Sequence, residues 1–581
     1  MCGARSGSFR FGIGQASVCR LLVGLRIGFL GDSLKREHLE SVFLLVLVGV
    51  LLWTGIAALY DYRLSHSSPW GYFASDAIHN LYQSQNLYDV GNWKYVLPYI
   101  AAGYADVVSY MLPMLAHLNV NLAYASGLAP SDTLMFLCVL LSVVSALLMY
   151  ILIKDYNGTV ALLSAPIFAF LFLKNFYTAI TWGQLTYLAG SFFLIASVVL
   201  LRHLKEKGIF VPFAILVSAI FLAHTSEFFF FLGFVVVYLL YDLLFKKTLN
   251  LTLVKKLALS AVLVSLISFY YMVIFFNSYY ANYGPSSFKW FTVVSDAGFR
   301  IAYLSDFGWL FLLPILVGFA VSLYLIFKKK AHLSMLFASF MLFVGLLNYI
   351  GIGNRSFQTR FFWPVYLSVF FGIFLYQCLK LFMKRENSLF VSIASLAILV
   401  FVVISFQARN LDQGLLNPYH WDAYQWLKSD TPTAARVYFF YGDTFDQNAQ
   451  LLIPARFATY AMNKGIAQNL NDMIIPRDFF SRFLVNAEFL PYRKSFFSFG
   501  YHLLEENIST EHLVDVCNYD YYVFDKSSAY YPALAQYNLA IRQVMLGSGF
   551  TEEVYSNELV SILENMQPGK DCIPKEGVKL K

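Results

Sequence analysis

Runs of about 20 apolar residues, each long enough to cross a bilayer as an α-helix, recur throughout this chain of 581 residues and constrain its fold more than any other feature. The composition agrees with this pattern. Only 13% of the residues are charged, roughly half the share found in soluble domains. The chain is therefore predicted to be an α-helical polytopic membrane protein.

About eleven spans can be placed by hydropathy, each near the length that a bilayer requires. They are residues 41–60, 133–153, 160–173, 182–201, 209–223, 228–245, 257–276, 307–327, 331–350, 361–383 and 388–406.

Positive charge clusters in short loops beside the spans. These loops lie at residues 202–207, 246–256, 328–330 and 384–385, and two spans separate each from the next, so all four share one side. That side is cytoplasmic by the positive-inside rule, and the basic N-terminal segment, residues 1–40, is placed there for the same reason. The net charge of +7 thus reflects membrane topology, and no nucleic-acid partner is expected.

The outer loop between the first two spans, residues 61–131, is too long for a simple connection. Loops beyond about 12–15 residues are usually functional or disordered, and this one is rich in Tyr, Trp, Leu and Pro, which disordered segments lack. Its apolar segment 104–124 contains Asp106, whose charge at mid-bilayer would cost about 2.5–3.5 kcal/mol. We therefore expect a folded outer loop whose segment 104–124 lies along the membrane interface.

The chain changes character after the last predicted span. Charged residues return, and helix and strand patterns alternate, with a hairpin predicted to turn at Asn557. A transmembrane domain over residues 41–410 is thus followed by a small extracytoplasmic α/β domain over residues 411–581, a normal domain size. Cys517 and Cys572 lie in this domain; they either form a disulfide, if it faces an oxidising compartment, or remain free thiols.

Polar side chains gather at a few places on the predicted outer face. One pair lies a helical turn apart in the sequence SDAIHN of the outer loop, another in AHTSEF between the fifth and sixth spans, and a third in GNRSFQTRFFWP before the tenth span. The candidate site residues are, in chain order, Asp76, His79, Tyr110, His224, Glu227, Arg355 and Arg360.

This layout resembles that of the GT-C superfamily of membrane glycosyltransferases, which take sugars from polyprenyl-phosphate carriers. The similar members are oligosaccharyltransferases, protein mannosyltransferases and aminoarabinose transferases. Asp76 matches the essential acid of their first outer loop, the segment with Tyr110, Pro113 and His117 matches their interfacial helix, and Arg360 in TRFFWP matches the Arg-aromatic-Pro start of a late span. The chain lacks a WWDYG-type acceptor motif and has no second acid beside Asp76, which sets it apart from oligosaccharyltransferases proper.

The resemblance implies an inverting glycosyltransferase of the plasma membrane, with a polyprenyl-phosphate-linked sugar donor and an extracytoplasmic acceptor. Asp76 would be the general base, a role that contributes about 10²–10⁴-fold, and Arg360 would bind the donor phosphate through its fork of N–H donors. His79 and Glu227 would support the base, or Glu227 and Asp76 would hold Mg²⁺ or Mn²⁺. The other expected substrate contacts are Tyr110, His224 and Arg355.

Structural interpretations of the same residues stand beside these roles. Asp76 is placed to cap a loop helix, and Arg360 is placed to anchor a span at the interface. The alternative functions are a transporter or flippase of a lipid-linked glycan, and a non-catalytic envelope assembly protein. Transporters tend to carry charged residues near the bilayer midplane, whereas the predicted spans are nearly free of them, which favours the enzyme.

Overall fold

The computed structural model describes residues 31–60, 63–72, 75–91, 112–181, 183–247, 250–275, 309–347, 363–382, 388–405, 418–432, 435, 437–440, 519–526, 539, 542–543, 545–547 and 549–568. Helices dominate this part of the chain. They are α1 (Gly31–Tyr60), α2 (Ser75–Val90), α3 (Met114–Ser126), α4 (Pro130–Lys154), α5 (Gly158–Thr181), α6 (Leu185–His203), α7 (Phe210–Ala223), α8 (Thr225–Leu244), α9 (Leu251–Phe275), α10 (Trp309–Phe327), α11 (Leu333–Leu347), α12 (Trp363–Phe382), α13 (Ser388–Ser405) and α14 (Pro418–Asp430).

A helix lies at each predicted span position, from α1 and α4 through α13. Among the described residues, five segments are long and apolar enough to cross a membrane by length and composition. Together with the helical frame, they make this an integral membrane protein. The number of crossings, about eleven, stays a prediction. The five segments are Glu37–Ala57, Pro130–Lys154, Leu185–His203, Thr225–Leu244 and Leu251–Val273.

Two helices extend beyond their predicted spans. α1 begins at Gly31 rather than at residue 41, and the Glu40 carboxylate in its polar turns pairs with Lys154 at the end of α4. α5 continues to Thr181, whereas hydropathy placed its end before Lys174. In both cases the helix continues through polar residues, whereas a prediction from hydropathy ends where the apolar run ends.

Aromatic side chains connect the centre of the bundle. α12 packs against α5, α10 and α11, while α6 packs against α4, α7 and α8. The ring of Phe337 on α11 lies edge-on to Phe234 of α8, at 5.1 Å, and to Tyr366 of α12, at 5.3 Å. This packing places the middle of α8 and the start of α12 on the two sides of α11.

The described part of the outer loop is folded. α2 and α3 pack against each other, with the rings of Tyr88 and Tyr124 stacked at 4.7 Å, and both contact α4 and α6. α3 has 13 residues, too few to cross a bilayer. Burial lowers the pKa of His117 on α3, so this side chain is uncharged at neutral pH and suits an interfacial helix.

The C-terminal residues form a mixed sheet. Its strands are β1 (Val437–Phe440), β2 (Tyr521–Asp525), β3 (Thr551–Ser556) and β4 (Val560–Asn565), in the order β1-β2-β4-β3, with β1 parallel to β2 and the other pairs antiparallel. The hairpin between β3 and β4 turns at Asn557 as predicted, because its Oδ1 accepts hydrogen bonds from the N–H groups of Leu559 and Val560.

Both faces of this sheet are covered. Trp426 of α14 packs against Tyr521 and Tyr555, with ring centroids 6.4 and 5.5 Å apart. Arg542 donates to the Ser561 hydroxyl over 2.6 Å on the other face, since successive strand residues alternate between faces. Cys517 and Cys572, expected either to form a disulfide or to remain free thiols, lie outside the described residues.

A close helix contact at Gly318 gives a test of the bundle. A Cβ at Gly318 of α10 would lie 2.6 Å from the carbonyl carbon and 2.8 Å from the Cα of Phe370 in α12, and backbone atoms cannot yield as a side chain can. Gly318→Ala is therefore expected to destabilise the protein by about 1–3 kcal/mol, measured as a lower midpoint of thermal unfolding in detergent.

The matched control for this prediction is Gly49→Ala in α1, where an added Cβ meets no atom within 4 Å. Equal unfolding midpoints for the two variants would contradict the packing of α10 on α12.

Candidate functional site

The candidate site is built at the corner between α7 and α8. α7 ends at Ala223 and α8 begins at Thr225, so His224 alone joins them, with an extended backbone at φ −158° and ψ 122°. The chain reverses within one residue. This places Glu227 in the first turn of α8, where the positive end of the helix dipole favours a carboxylate.

His224 and Glu227, both predicted site residues, are brought together by this corner. A hydrogen bond joins Nδ1 of His224 to Oε2 of Glu227, and Glu227 is only 1% exposed. The edge of the Tyr187 ring, with its centroid 5.5 Å from that of the imidazole, holds His224 in place. Because a carboxylate this buried is costly without a partner, the pair is a permanent feature of the fold and has the groups needed for proton transfer.

α6 approaches the pair closely at Gly190. A Cβ at this position would lie 2.6 Å from the His224 Cβ and 3.3 Å from the Glu227 Oε2. Tyr187, Gly190 and Ser191 occupy one face of α6, since residues three and four apart share a helix face. That face therefore forms the wall against which the pair is packed.

Two buried hydroxyl groups lie beside the pair. The Tyr366 hydroxyl of α12 is within electrostatic range of Glu227 and faces Ser191. Neither hydroxyl makes a hydrogen bond of normal geometry to the described residues. Tyr366 lies in the first turn of α12, so the start of α12 is within electrostatic range of the corner that carries Glu227.

The predicted base, Asp76, lies with His79 near the start of α2, and the structure describes the backbone of both but not their side chains. Position 76 shares a helix face with Asn80 and Gln83, which are buried. α2 packs against α4 and α6. The same helix, α6, thus contacts both α2 and the His224–Glu227 pair.

Three predicted site residues, Tyr110, Arg355 and Arg360, lie outside the described residues, so their roles remain predictions. Within the described ranges no group of three His, Cys, Asp or Glu side chains could hold a metal ion. A Mg²⁺ site often needs only one or two carboxylates together with substrate phosphates. Glu227 with Asp76 would meet that need, although one Glu227 oxygen is already bonded to His224.

Sequence reasoning missed the side chains that surround the pair. Tyr187, Ser191 and Tyr366 lie in apolar runs, where a single hydroxyl-bearing residue is common and gives no sign of a site. The spacing of Tyr187, Gly190 and Ser191 on one helix face is the one signal that indicates a shared environment, and the sequence does not indicate what they face.

Solved structures with the same fold include the oligosaccharyltransferase of Archaeoglobus fulgidus. Its apo form aligns with a TM-score of 0.53 and 11% identity over 84% of this chain and 69% of that one. Its complex with an inhibitory peptide and a dolichol-phosphate aligns with a TM-score of 0.52 and 12% identity over 88% and 73%. The mycobacterial arabinofuranosyltransferase AftD aligns with a TM-score of 0.50 and 12% identity, over 90% of this chain and 41% of that one.

No protein-family model matches the sequence, and no curated protein sequence matches it significantly. The structural matches are to GT-C glycosyltransferases. At 11–12% identity they show the fold alone: this chain has the fold of the GT-C membrane glycosyltransferases.

The contribution of the His224–Glu227 pair to stability can be tested without an activity assay. Glu227→Ala removes the acceptor of the buried His224 and is expected to destabilise the protein by about 1–3 kcal/mol. Glu227→Gln, whose amide oxygen still accepts a hydrogen bond, should lose less. Thermal unfolding in detergent measures both.

Glu206→Ala is the matched control, because Glu206 pairs with His203 at the same sequence spacing but both side chains are exposed, at 51% and 37%. Exposed pairs contribute about 0–1 kcal/mol. If Glu227→Ala cost no more than Glu206→Ala, the structural importance of the buried pair would be refuted.

Proposed function

We propose that this protein is a GT-C-type glycosyltransferase that moves a sugar from a polyprenyl-phosphate-linked donor to an acceptor outside the cytoplasm. The observation that carries this proposal is the buried His224–Glu227 pair, which packs against α6 and lies within electrostatic range of Tyr366 near the start of α12. α6 also contacts the helix that bears Asp76, and α12 begins just after Arg360. These contacts support the proposal that residues distant in sequence converge on one end of the bundle.

The orientation we propose places this end at the outer leaflet of the plasma membrane, with about eleven spans. The opposite ends of α6 and α8 lead into loops with exposed lysines such as Lys205 and Lys247, which the positive-inside rule places in the cytoplasm. The N-terminus is then cytoplasmic and the C-terminal sheet extracytoplasmic.

The proposed reaction is a single displacement with inversion. Asp76 takes the proton of the acceptor hydroxyl as its oxygen forms a bond to the anomeric carbon of the sugar. The bond from that carbon to the phosphate oxygen breaks, and its electron pair leaves with the polyprenyl phosphate. Arg360 stabilises the charge that develops on this phosphate, since its guanidinium presents two parallel N–H donors.

The His224–Glu227 pair has a supporting role in this proposal. Glu227 is too buried to meet an acceptor from water, but its carboxylate adds negative charge beside the reacting groups and orients His224. A divalent cation bound by Asp76 and Glu227 would supply further stabilisation of the leaving phosphate. His79 supports Asp76 in this proposal, and Tyr110 and Arg355 complete the site as substrate contacts.

No observation favours the transporter or the assembly protein. The acids of α4 and α8 lie in their end turns, at Asp132, Glu227 and Asp242, rather than at mid-helix where a transport path would need them. A non-catalytic scaffold also has no need for a histidine–glutamate pair buried as deeply as His224 and Glu227.

The role of Asp76 is tested with Asp76→Asn, which keeps the size of the side chain and removes the base. Transfer is expected to slow by about 10²–10⁴-fold. The measurement is the release of polyprenyl phosphate from a panel of short-chain polyprenyl-phosphate hexoses and pentoses, with extracted cell-envelope glycans and lipids as acceptors.

Asp422→Asn is the control for this measurement, since Asp422 is an exposed acid on α14. Wild-type turnover by Asp76→Asn on a donor that the wild type uses would show that the base has been assigned wrongly.

The role of Arg360 is tested by binding alone. Polyprenyl monophosphate is expected to raise the unfolding temperature of the purified protein, and Arg360→Ala should weaken its affinity by about 10- to 100-fold, because hydrogen bonds to charged groups contribute about 1.5–3 kcal/mol. Lys205→Ala, at the other end of α6, should bind as the wild type does. Equal affinities for wild type and Arg360→Ala would remove Arg360 from the phosphate site.

A further inference from the structure

The first turn of α4 collects polar contacts from the chain that precedes α2. The His66 backbone N–H donates to Oδ2 of Asp132 over 3.2 Å, and the His66 Nδ1 lies 3.0 Å from its Oδ1. The Tyr72 hydroxyl donates to the Ser131 carbonyl over 2.7 Å. Three hydrogen bonds that involve side chains thereby hold the irregular segment from His66 to Tyr72 against α4.

The same turn is bonded from the other side by α3. Nδ2 of Asn119, which is fully buried, donates to the Pro130 carbonyl over 2.9 Å, and the Thr133 hydroxyl donates to Oδ1 of Asn119 over 2.7 Å. The chain before α2 and the helix after it therefore meet at residues 130–133. We call these residues, with His66, Tyr72 and Asn119, the α4 clasp.

The centre of the α4 clasp is a histidine–aspartate pair held out of water. The side chains of His66 and Asp132 are 8% and 4% exposed, and the Trp70 ring stacks on the imidazole at 5.3 Å and 14°. An acid at a helix N-terminus is favoured by the helix dipole, but that interaction requires neither burial nor a histidine. A buried polar pair of this kind is weak evidence for net stability, and its better-supported use is to fix one geometry.

We propose that Asp132 is a positioning residue, which fixes the chain leading into α2 through His66 and thereby the location of Asp76. The inference rests on the proposed function insofar as Asp76 is the base. Four residues of extended chain reach at most about 14 Å, so a chain fixed at Tyr72 confines Asp76 to that radius. The stacked Tyr88 and Tyr124 rings hold the far end of α2 against α3.

The precision of this placement matters for catalysis. Misplacement of a reacting group by about 1 Å costs on the order of 10²-fold in rate. A base on a helix that is held at its far end, and that follows a chain fixed at Tyr72, is confined before substrate arrives. A base on a loose loop must instead be ordered in each turnover.

Hydrogen exchange of the full-length protein in detergent tests the inference without any substrate. In Asp132→Ala, amides of residues 63–90 are expected to exchange at least about tenfold faster, while the rest of the bundle keeps its protection. Asp132→Asn, whose amide oxygen still accepts from His66, should restore most of the protection. Asp155→Ala is the matched control, since Asp155 follows the other end of α4 and pairs with Arg202.

Unchanged exchange in α2, or a uniform loss of protection over the whole bundle, overturns the inference, because either result reduces Asp132 to an ordinary stabilising residue. Should Asp132→Ala fail to fold, His66→Ala removes the imidazole and leaves the backbone bond, and the same comparison applies.

The transfer assay adds a second measurement, the separate effects on kcat and KM, which a purely structural role of Asp132 would not change in this way. Asp132→Ala is expected to lower kcat by about 10- to 100-fold with little change in KM, because a displaced base affects the chemical step. Asp132→Asn should recover most of the rate. Faster exchange in α2 together with full activity of Asp76→Asn would support the α4 clasp and contradict the proposed function, so the two failures are distinguishable.

Discussion

The buried pairing of Glu227 with His224 is the interaction on which the candidate site depends. A carboxylate excluded from water needs a partner, and the partner here is supplied by a reversal of the chain within a single residue. The reversal in turn requires Gly190 on α6, since a Cβ there would collide with His224. The His224–Glu227 hydrogen bond and the packing of α6, α7 and α8 therefore depend on each other.

In the proposed function, the same constraint explains why the site residues gather at one end of the bundle. α6 contacts the corner and the outer-loop helices, while the start of α12 brings Tyr366 to Glu227. The α4 clasp fixes the outer-loop helices to a neighbouring helix. A rigid frame with a preorganised polar end is what transfer from a lipid-bound donor requires, because the donor arrives from the membrane and its carrier stays there.

The positions of the long helices could be predicted well from the sequence, because each apolar run is long and is flanked by polar residues. The hairpin at Asn557 and the helical outer loop followed from equally local patterns. His224 and Glu227 were predicted because they are charged neighbours in a loop between spans. Tyr366, Ser191 and the His66–Asp132 bond were not, since each is a contact between distant positions with no local pattern.

An experimental structure of the protein in a lipid nanodisc with polyprenyl monophosphate is the most direct test. We expect the phosphate to lie against Arg360 in a cavity open to the outer leaflet, and the carboxylates of Asp76 and Glu227 to line the same cavity. A structure in which the Asp76 carboxylate faces bulk solvent, with the phosphate bound elsewhere, would contradict it.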